Sequence, residues 1–204
     1  MQFLWDIQLT IHYLLHVSAK VAQKTEQSIW NGAAATNGEF GGFKELMLAD
    51  ADVTDVGAGA AVTSANVISK LGLVVDAIGS SLYTSEDMFI YVSQNVARAY
   101  VRALGGFATN VGAAGVNQDG TQWYTGGTLS FDGVKLAVAN GLADNTMVAA
   151  EKSNLFFGTG LLNDQNEVKV IDMADIDGSQ NVRVVMRFSA SVQYGIGSDI
   201  VLYS

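Results

Sequence analysis

Apolar residues recur at helical spacing from the start of the chain to Ile29. They are Leu4, Ile7, Ile11, Leu14, Leu15, Val21, Ala22 and Ile29. The i, i+3, i+4, i+7 spacing is typical of an amphipathic helix, and about 25 residues at 1.5 Å each span roughly 38 Å. Asn31 and Gly32 follow, a usual helix stop. The pattern predicts one long N-terminal helix.

Two further helices are predicted in the middle of the chain, with one strand between them. The second helix begins near Thr63 or Ser64, either of which can cap it, and carries an apolar stripe. That stripe consists of Val67, Ile68, Leu71, Val74, Val75 and Ile78. Met88 to Val92 is a short apolar run, which favours a buried strand. Ser93 then caps a third helix that ends at Gly105 and Gly106. Residues 44–62 are small and weakly patterned, and the aspartates at 50, 52 and 55 with the glycines at 57 and 59 suggest a loop.

Beyond Thr128 the pattern changes to the alternation that is typical of strands. A tight turn is predicted at Asp132 and Gly133, and a short helix or turn at 152–157. Strands are expected at 131–138, 146–150, 167–173, 181–194 and 200–203. Helices followed by strands predict an α+β fold.

Residues 107–127 form a long stretch rich in Gly, Asn and Ala. Loops longer than about 15 residues are uncommon unless they have a function, so we expect a projecting surface loop. It contains Trp123 and Tyr124, and aromatic residues are enriched at protein interfaces. These two are therefore the candidate subunit-contact residues, with stacking on a small ligand as the alternative.

Composition removes several function classes. The chain has 204 residues, with 11 basic and 20 acidic side chains, for a net charge of −9. Because phosphate binding relies on Lys and Arg, this balance disfavours a nucleic-acid reader. There is no Cys, which excludes disulfides, thiolate metal sites and Cys nucleophiles. No run of about 18 apolar residues occurs, and no basic segment precedes the N-terminal helix, so no membrane partner or targeting segment is expected.

Two groups of residues have the composition of metal sites, and both are interpreted as surface side chains. His12 and His16 have the i, i+4 spacing of a metal pair, but the HExxH pattern is missing. Asp50, Asp52 and Asp55 could bind calcium, yet the glycine and glutamate of an EF-hand loop are not at the required positions. No nucleotide-binding or nucleophile motif surrounds the glycine pairs. We expect no metal, no cofactor and no catalytic residue.

Four segments in order resemble the tailed-bacteriophage major capsid proteins of the Hong Kong 97 type. Residues 21–43 resemble the end of the family's long spine helix and the glycine-containing segment after it. Residues 67–104 resemble its helix, buried strand and capped helix, with Val92 and Ser93 at the end of the strand. Residues 129–164 resemble two further strands, and 182–204 the long strand and the closing strand.

The resemblance implies a two-part architecture. A spine helix would pack on an antiparallel β ribbon in a peripheral part, formed by 1–60 and 163–195. An axial part, formed by 61–162 and 196–204, would contain two helices and a small mixed sheet. The loop 105–127 would lie near the five- and sixfold axes of a shell.

The resemblance also implies a structural function and not an enzymatic one. The chain would be a major capsid subunit that binds copies of itself as pentamers and hexamers. The icosahedral phage head would enclose double-stranded DNA that it contacts only non-specifically. The capsid subunit would be located in the virion, and in the host cytoplasm during assembly. The chain starts inside the spine helix and has no counterpart of the family's N-terminal arm and extended loop, so we expect monomers or small rings instead of closed shells.

Three alternatives remain open at the level of sequence. An encapsulin-like nanocompartment shell shares the same fold, and a neighbouring cargo-enzyme gene would identify it. A small-ligand or carbohydrate-binding α+β module would have a deep pocket at Trp123 and Tyr124. An enzyme with carboxylates far apart in the chain would bring them together in a cleft.

Overall fold

The computed structural model describes residues 2–36, 38–57, 61–106, 129–160, 168–173, 176, 178, 182–186 and 189–204. Within them the chain forms four helices: α1 Gln2–Asn31, α2 Phe43–Ala49, α3 Val67–Asp76 and α4 Gln94–Gly106. The first strands are β1 Thr54–Asp55, β2 Met88–Val92, β3 Leu129–Phe131, β4 Val134–Val138 and β5 Met147–Glu151. The later strands are β6 Leu155–Thr159, β7 Val168–Asp172, β8 Val182–Met186, β9 Ala190–Tyr194 and β10 Val201–Tyr203. The class is α+β, as predicted.

Several sequence predictions are confirmed closely. The long first helix ends at Asn31, and β2 has the predicted bounds. Asp132 and Gly133 form the turn between β3 and β4, with φ angles of 48° and 83°. A positive φ at both central positions matches a type I′ hairpin, which suits the right-handed twist of the paired strands.

Three sequence predictions were wrong in part. Residues 44–62 are not only loop, because α2 lies there; it is seven residues long and its N-cap, Gly42, makes no side-chain cap bond. Phe43 and Met47 stabilise it by packing into the core, which a short window of sequence does not reveal. The expected strand 181–194 is divided into β8 and β9, which pair with different strands. The α3 helix begins at Val67, after a turn from Thr63, and not at Thr63 itself.

The predicted turn or helix at 152–157 is also divided in two. A single 3-10 turn covers Lys152–Asn154, and β6 follows it directly. Phe156 and Phe157 therefore lie on a strand and not on a helix. Since side chains alternate along a strand, these two rings point to opposite faces of the β6–β9 pair.

Six strands form one mixed sheet in the order β1-β10-β5-β2-β4-β3. The pairs β1–β10 and β2–β4 are parallel, and the other three pairs are antiparallel. Two separate antiparallel ribbons, β6–β9 and β7–β8, complete the described strands. The pairing of β1 with β10 joins a segment near the start of the chain to its last strand.

The sheet has an apolar core on each face. Helices α3 and α4 cover one face, where Val67, Leu71, Ile90 and Val96 are almost completely buried. The end of α1, α2 and β9 cover the other face. The central strand β5 alternates between the two cores and is buried along both faces. Burial on both faces explains why β5 has no polar alternation in its sequence.

An amide pair connects three loops at one end of the sheet. The Asn145 side-chain oxygen accepts hydrogen bonds from the Val62 backbone N–H at 2.8 Å and from the Asn95 amide at 2.9 Å. The Asn145 backbone N–H donates to the Asn95 side-chain oxygen at 3.0 Å. Asn145 has a φ of 65°, a left-handed conformation that Asn tolerates better than most residues. The pair fixes the start of α4 against the turn that precedes β5.

Substitution of Asn145 separates its side-chain role from its backbone role. In Asn145→Gly the positive φ is retained and the two accepted hydrogen bonds are lost, so we expect a loss of about 1–3 kcal/mol in unfolding free energy. In Asn145→Ala a backbone penalty is added to that loss. Urea denaturation measures both variants. Equal stability of the glycine variant and the wild type would contradict the assigned hydrogen bonds.

Candidate subunit-contact surfaces

The described residues contain no cluster of potential metal ligands. No group of three or more His, Cys, Asp or Glu side chains among them is arranged to hold a metal ion. His16 is exposed on α1, whereas the side chain of His12 lies outside the described part of the structure. In the same part of the chain, no helix combines the length and apolarity needed to cross a membrane.

A shallow groove of about 400 Å³ lies beside the β3–β4 hairpin. Among its lining residues are Tyr83, Glu86, Met88 and Lys135. Glu86 and Lys135 are its charged side chains, and no described ion pair joins them. Ser85 also lines the groove, and its hydroxyl donates a hydrogen bond to Glu151 Oε1 at 2.6 Å.

The last turns of α1 are fastened to the body of the protein by close backbone contacts. A Cβ atom at Gly141 would lie 2.2 Å from the Glu26 carbonyl oxygen, and one at Gly42 would lie 2.6 Å from the Gly32 nitrogen. The Glu26 carboxylate accepts a hydrogen bond from the Asn140 backbone N–H at 3.1 Å. Only glycine permits such an approach, so α1 is held rigidly at its C-terminal end.

One ion pair supports the same junction. Lys24 Nζ lies 2.6 Å from Glu39 Oε1. The hydrogen bond from Lys24, followed by that from the Ala33 backbone N–H, lowers the pKa of Glu39. Glu39 therefore stays ionised to lower pH than a free glutamate, and the contribution of this pair disappears as the pH falls through that lowered pKa.

The described part of α1 before this junction is largely exposed. Leu15 is 61% exposed, although it belongs to the apolar stripe of the sequence. Lys20 and Gln23 are exposed on the same helix. Leu15 is therefore an apolar side chain that the described part of the chain leaves largely uncovered.

A second uncovered apolar surface lies on the β6–β9 ribbon. Phe156, Phe157 and Ile196 are 54%, 49% and 55% exposed, and we call them the ribbon patch. The Asn154 side chain accepts hydrogen bonds from the backbone N–H groups of Gly195 and Ile196, at 3.0 and 2.8 Å. These bonds hold the chain at the ribbon end and leave the Ile196 side chain outside. Because Phe156 and Phe157 lie on opposite faces of the ribbon, apolar side chains are exposed on both of its faces and are candidates for contact with another surface.

Three carboxylates lie at the β1–β10 edge of the sheet. Asp50, Asp52 and Asp55 form this acidic edge, and the turn at Gly197 packs directly against Asp50 and Asp52. Hydrogen bonds from the Asp52 backbone N–H and from the Tyr194 hydroxyl lower the pKa of Asp50. Burial and the hydrogen bond to Asp50 raise the pKa of Tyr194 to about 12, so the tyrosine remains a proton donor.

Two arginines lie on the exposed side of α4. Arg98 and Arg102 are one helical turn apart and both are exposed, and we call them the basic helix face. Residues four apart on a helix point in the same direction. The opposite side of α4 is buried through Val96, Tyr100 and Ala103. The helix therefore presents two guanidinium groups to the solvent side by side.

The sequence-based subunit-contact residues are not tested by the described part of the chain. Trp123 and Tyr124, and the loop 107–127 that contains them, lie outside the described residues, so their role stays a prediction. The sequence indicates a solvated loop for Asp50, Asp52 and Asp55 and does not reveal that the turn at Gly197 packs against the first two. It also predicts a short helix or turn at 152–157, which does not reveal that Phe156 and Phe157 are exposed on a strand.

Comparison with known proteins identifies the fold. No protein-family model and no curated protein matches the sequence. A solved structure of Mycobacterium phage Che8 is similar over 94% of this chain, with a TM-score of 0.56 and 14% identity. A capsid of an empty GTA particle is similar over 96% of this chain, with a TM-score of 0.50 and 9% identity. A virus-like particle from Pyrococcus furiosus is also found, with a TM-score of 0.49, 10% identity and 89% of this chain covered.

The chain has the fold of the tailed-phage major capsid proteins of the Hong Kong 97 type, as the sequence resemblance predicted. It spans 61% of the Che8 chain, 64% of the GTA chain and 63% of the Pyrococcus chain. The four helices and the mixed six-stranded sheet of the described residues agree with this fold.

Proposed function

We propose that this chain is a major capsid subunit that assembles with copies of itself into the icosahedral head of a phage. The observation that carries the proposal is the capsid fold, which extends over 94% of the chain. A fold by itself does not determine function, so the exposed surfaces must support the proposal as well. The exposed apolar side chains of the β6–β9 ribbon and Leu15 of α1 support it, because the described part of the chain leaves them largely uncovered.

The proposed mechanism is mechanical. A shell needs head-to-tail contacts that close by rotation, and each contact can be modest because many act together. Rigid attachment of α1 through Gly42 and Gly141 would let the helix transmit force to the sheet without bending at the junction. In this proposal α1 is the spine helix, lying across the ribbons formed by β6–β9 and β7–β8.

The division into two parts is also proposed from the family resemblance. The peripheral part would comprise 1–60 and 163–195, and the axial part 61–162 and 196–204. Pentamers and hexamers would form around the axial parts, with the loop 105–127 and its Trp123 and Tyr124 at the subunit contacts. No enzymatic step, metal or cofactor enters this function.

The negative net charge of the chain suits a shell that encloses DNA without binding it tightly. With 11 basic and 20 acidic side chains, an inner wall of this protein would repel phosphate groups overall. DNA that must leave the head later is better enclosed by such a wall than bound by it. The proposed location is therefore the virion, after assembly in the host cytoplasm.

Electron microscopy of the purified chain over a wide range of concentration tests the proposal. In line with the expectation of monomers or small rings, we expect monomers at low concentration and rings of five or six copies as the concentration rises. A chain that stays monomeric at every concentration would overturn the proposal. Particles that hold a protein cargo and no nuclease-resistant DNA would instead favour the nanocompartment alternative.

A further inference from the structure

Opposite charges lie at opposite edges of the six-stranded sheet. The acidic edge follows β1 and β10 at one end of the strand order. The basic helix face belongs to α4, which packs over β3 at the other end: Tyr100 donates a hydrogen bond to the Ser130 carbonyl at 2.8 Å, and its ring meets Phe131 edge-on at 5.9 Å. The order of the strands therefore separates the two charged surfaces.

The two surfaces cannot satisfy each other within one copy. Five strand spacings of about 4.8 Å place the edges about 24 Å apart. This separation is about three Debye lengths at physiological salt, so the attraction between them is largely screened. The one ion pair among the described residues joins Lys24 to Glu39, and it involves neither surface.

Within the acidic edge, Asp50 is held in its charged form by two hydrogen bonds. Asp50 accepts hydrogen bonds from the Tyr194 hydroxyl and the Asp52 backbone N–H. Asp52 and Asp55 are exposed, and Asp55 accepts a bond from the Gly57 backbone N–H at 2.9 Å. Lys70 of α3 lies over the ring of Tyr203 at 5.6 Å. An external cation would be attracted to the negative charge of this edge.

We infer that the acidic edge of one copy binds the basic helix face of a second copy. Arginine is suited to this contact because its planar guanidinium can bind a carboxylate through two parallel hydrogen bonds. The two surfaces differ, so the contact is head-to-tail and can be repeated from copy to copy into a ring or a filament. This inference rests on the proposed function and names the surfaces that would join neighbouring subunits.

Charge reversal tests the contact in both directions. Asp52→Lys with Asp55→Lys makes both surfaces of a copy basic, and Arg98→Glu with Arg102→Glu makes both acidic. Each double variant alone should self-associate at least about tenfold more weakly than the wild type, because like charges then meet. A mixture of the two double variants restores opposite charges at every contact, so association should return. Sedimentation velocity measures all of these samples.

A matched control has the same change in net charge at a different place. Glu86→Lys with Asp87→Lys alters two exposed carboxylates that lie on neither surface, and it should associate like the wild type. Wild-type association should also weaken as salt is raised.

The outcomes separate the inference from the proposed function. If the wild type forms rings and the reversed variants form them equally well, the contact is wrong while the capsid proposal stands. If the wild type never associates, both fail. A mixture that remains monomeric although both variants unfold cooperatively on heating would also overturn the contact.

Discussion

Trp30→Ala should lower the unfolding free energy by about 3–5 kcal/mol, the largest stability effect expected for this protein. Trp30 is 8% exposed at the end of α1, and its ring lies 5.4 Å from that of Phe43 and 5.1 Å from that of Tyr91. It joins α1 to α2 and to the sheet at the same time. Removal of the indole leaves a cavity between three elements that the backbone cannot close.

Two variants serve as controls for this measurement by urea denaturation. Trp30→Phe retains an aromatic ring and should recover a large part of the loss. Leu15→Ala removes a side chain that is 61% exposed on the same helix, and it should change the stability by less than about 0.5 kcal/mol. Equal losses for Leu15→Ala and Trp30→Ala would show that α1 is not attached through Trp30.

The second large effect is expected from Gly141→Ala, with a loss of about 1–3 kcal/mol. The new Cβ would lie 2.2 Å from the Glu26 carbonyl oxygen and 2.6 Å from the carbonyl carbon. Both atoms are backbone in the middle of a helical turn, so they cannot rotate away as a side chain would. The loop that carries Gly141 must then separate from α1.

Gly72→Ala is the same chemical change at a site with open space. Its effect on the unfolding free energy should have the opposite sign. Gly72 lies inside α3, and a Cβ there would meet nothing within 4 Å. Alanine in a helix interior is favoured over glycine by about 0.5–1 kcal/mol, so this variant should be more stable than the wild type. Limited proteolysis adds a second readout, since only Gly141→Ala should expose 32–42 to cleavage. Two variants of equal stability would contradict the contact at Gly141.

These two variants also bear on the proposed function. If α1 transmits force to the sheet, Gly141→Ala should weaken ring formation more than its loss of stability explains. Gly72→Ala should leave ring formation unchanged. The comparison is informative because both chains keep the exposed ribbon patch and the charged edges.

Elements with a strong local period could be predicted from the sequence. The stripe that begins at Leu4 and the Asn31–Gly32 stop predicted α1, and the apolar run at Met88 predicted β2. Asp132 and Gly133 predicted the hairpin, because positive φ angles restrict the residue types at those two positions. In each case the residues that determine the element lie within a few positions of one another, so a short window of sequence contains the information needed to predict it.

The elements that sequence analysis missed depend on contacts between distant residues. Helix α2 is too short to be stable alone and forms because Phe43 and Met47 enter the second core. Apolar and polar residues alternate continuously over 181–194, yet β8 and β9 are separate strands because β8 pairs with β7 and β9 pairs with β6. The local alternation of apolar and polar residues does not predict which strand a segment will pair with.

The sequence alone determined the class of the protein, because the order of helical and strand periods and the capsid-like segments are properties of the chain itself. Only the tertiary structure decided which surfaces could carry the function. It packed the turn at Gly197 against Asp50 and Asp52 by pairing β10 with β1, and it left Phe156 and Phe157 outside both cores. The physical reason is that strand order and burial depend on the free energy of the whole packed sheet, which no short stretch of residues contains.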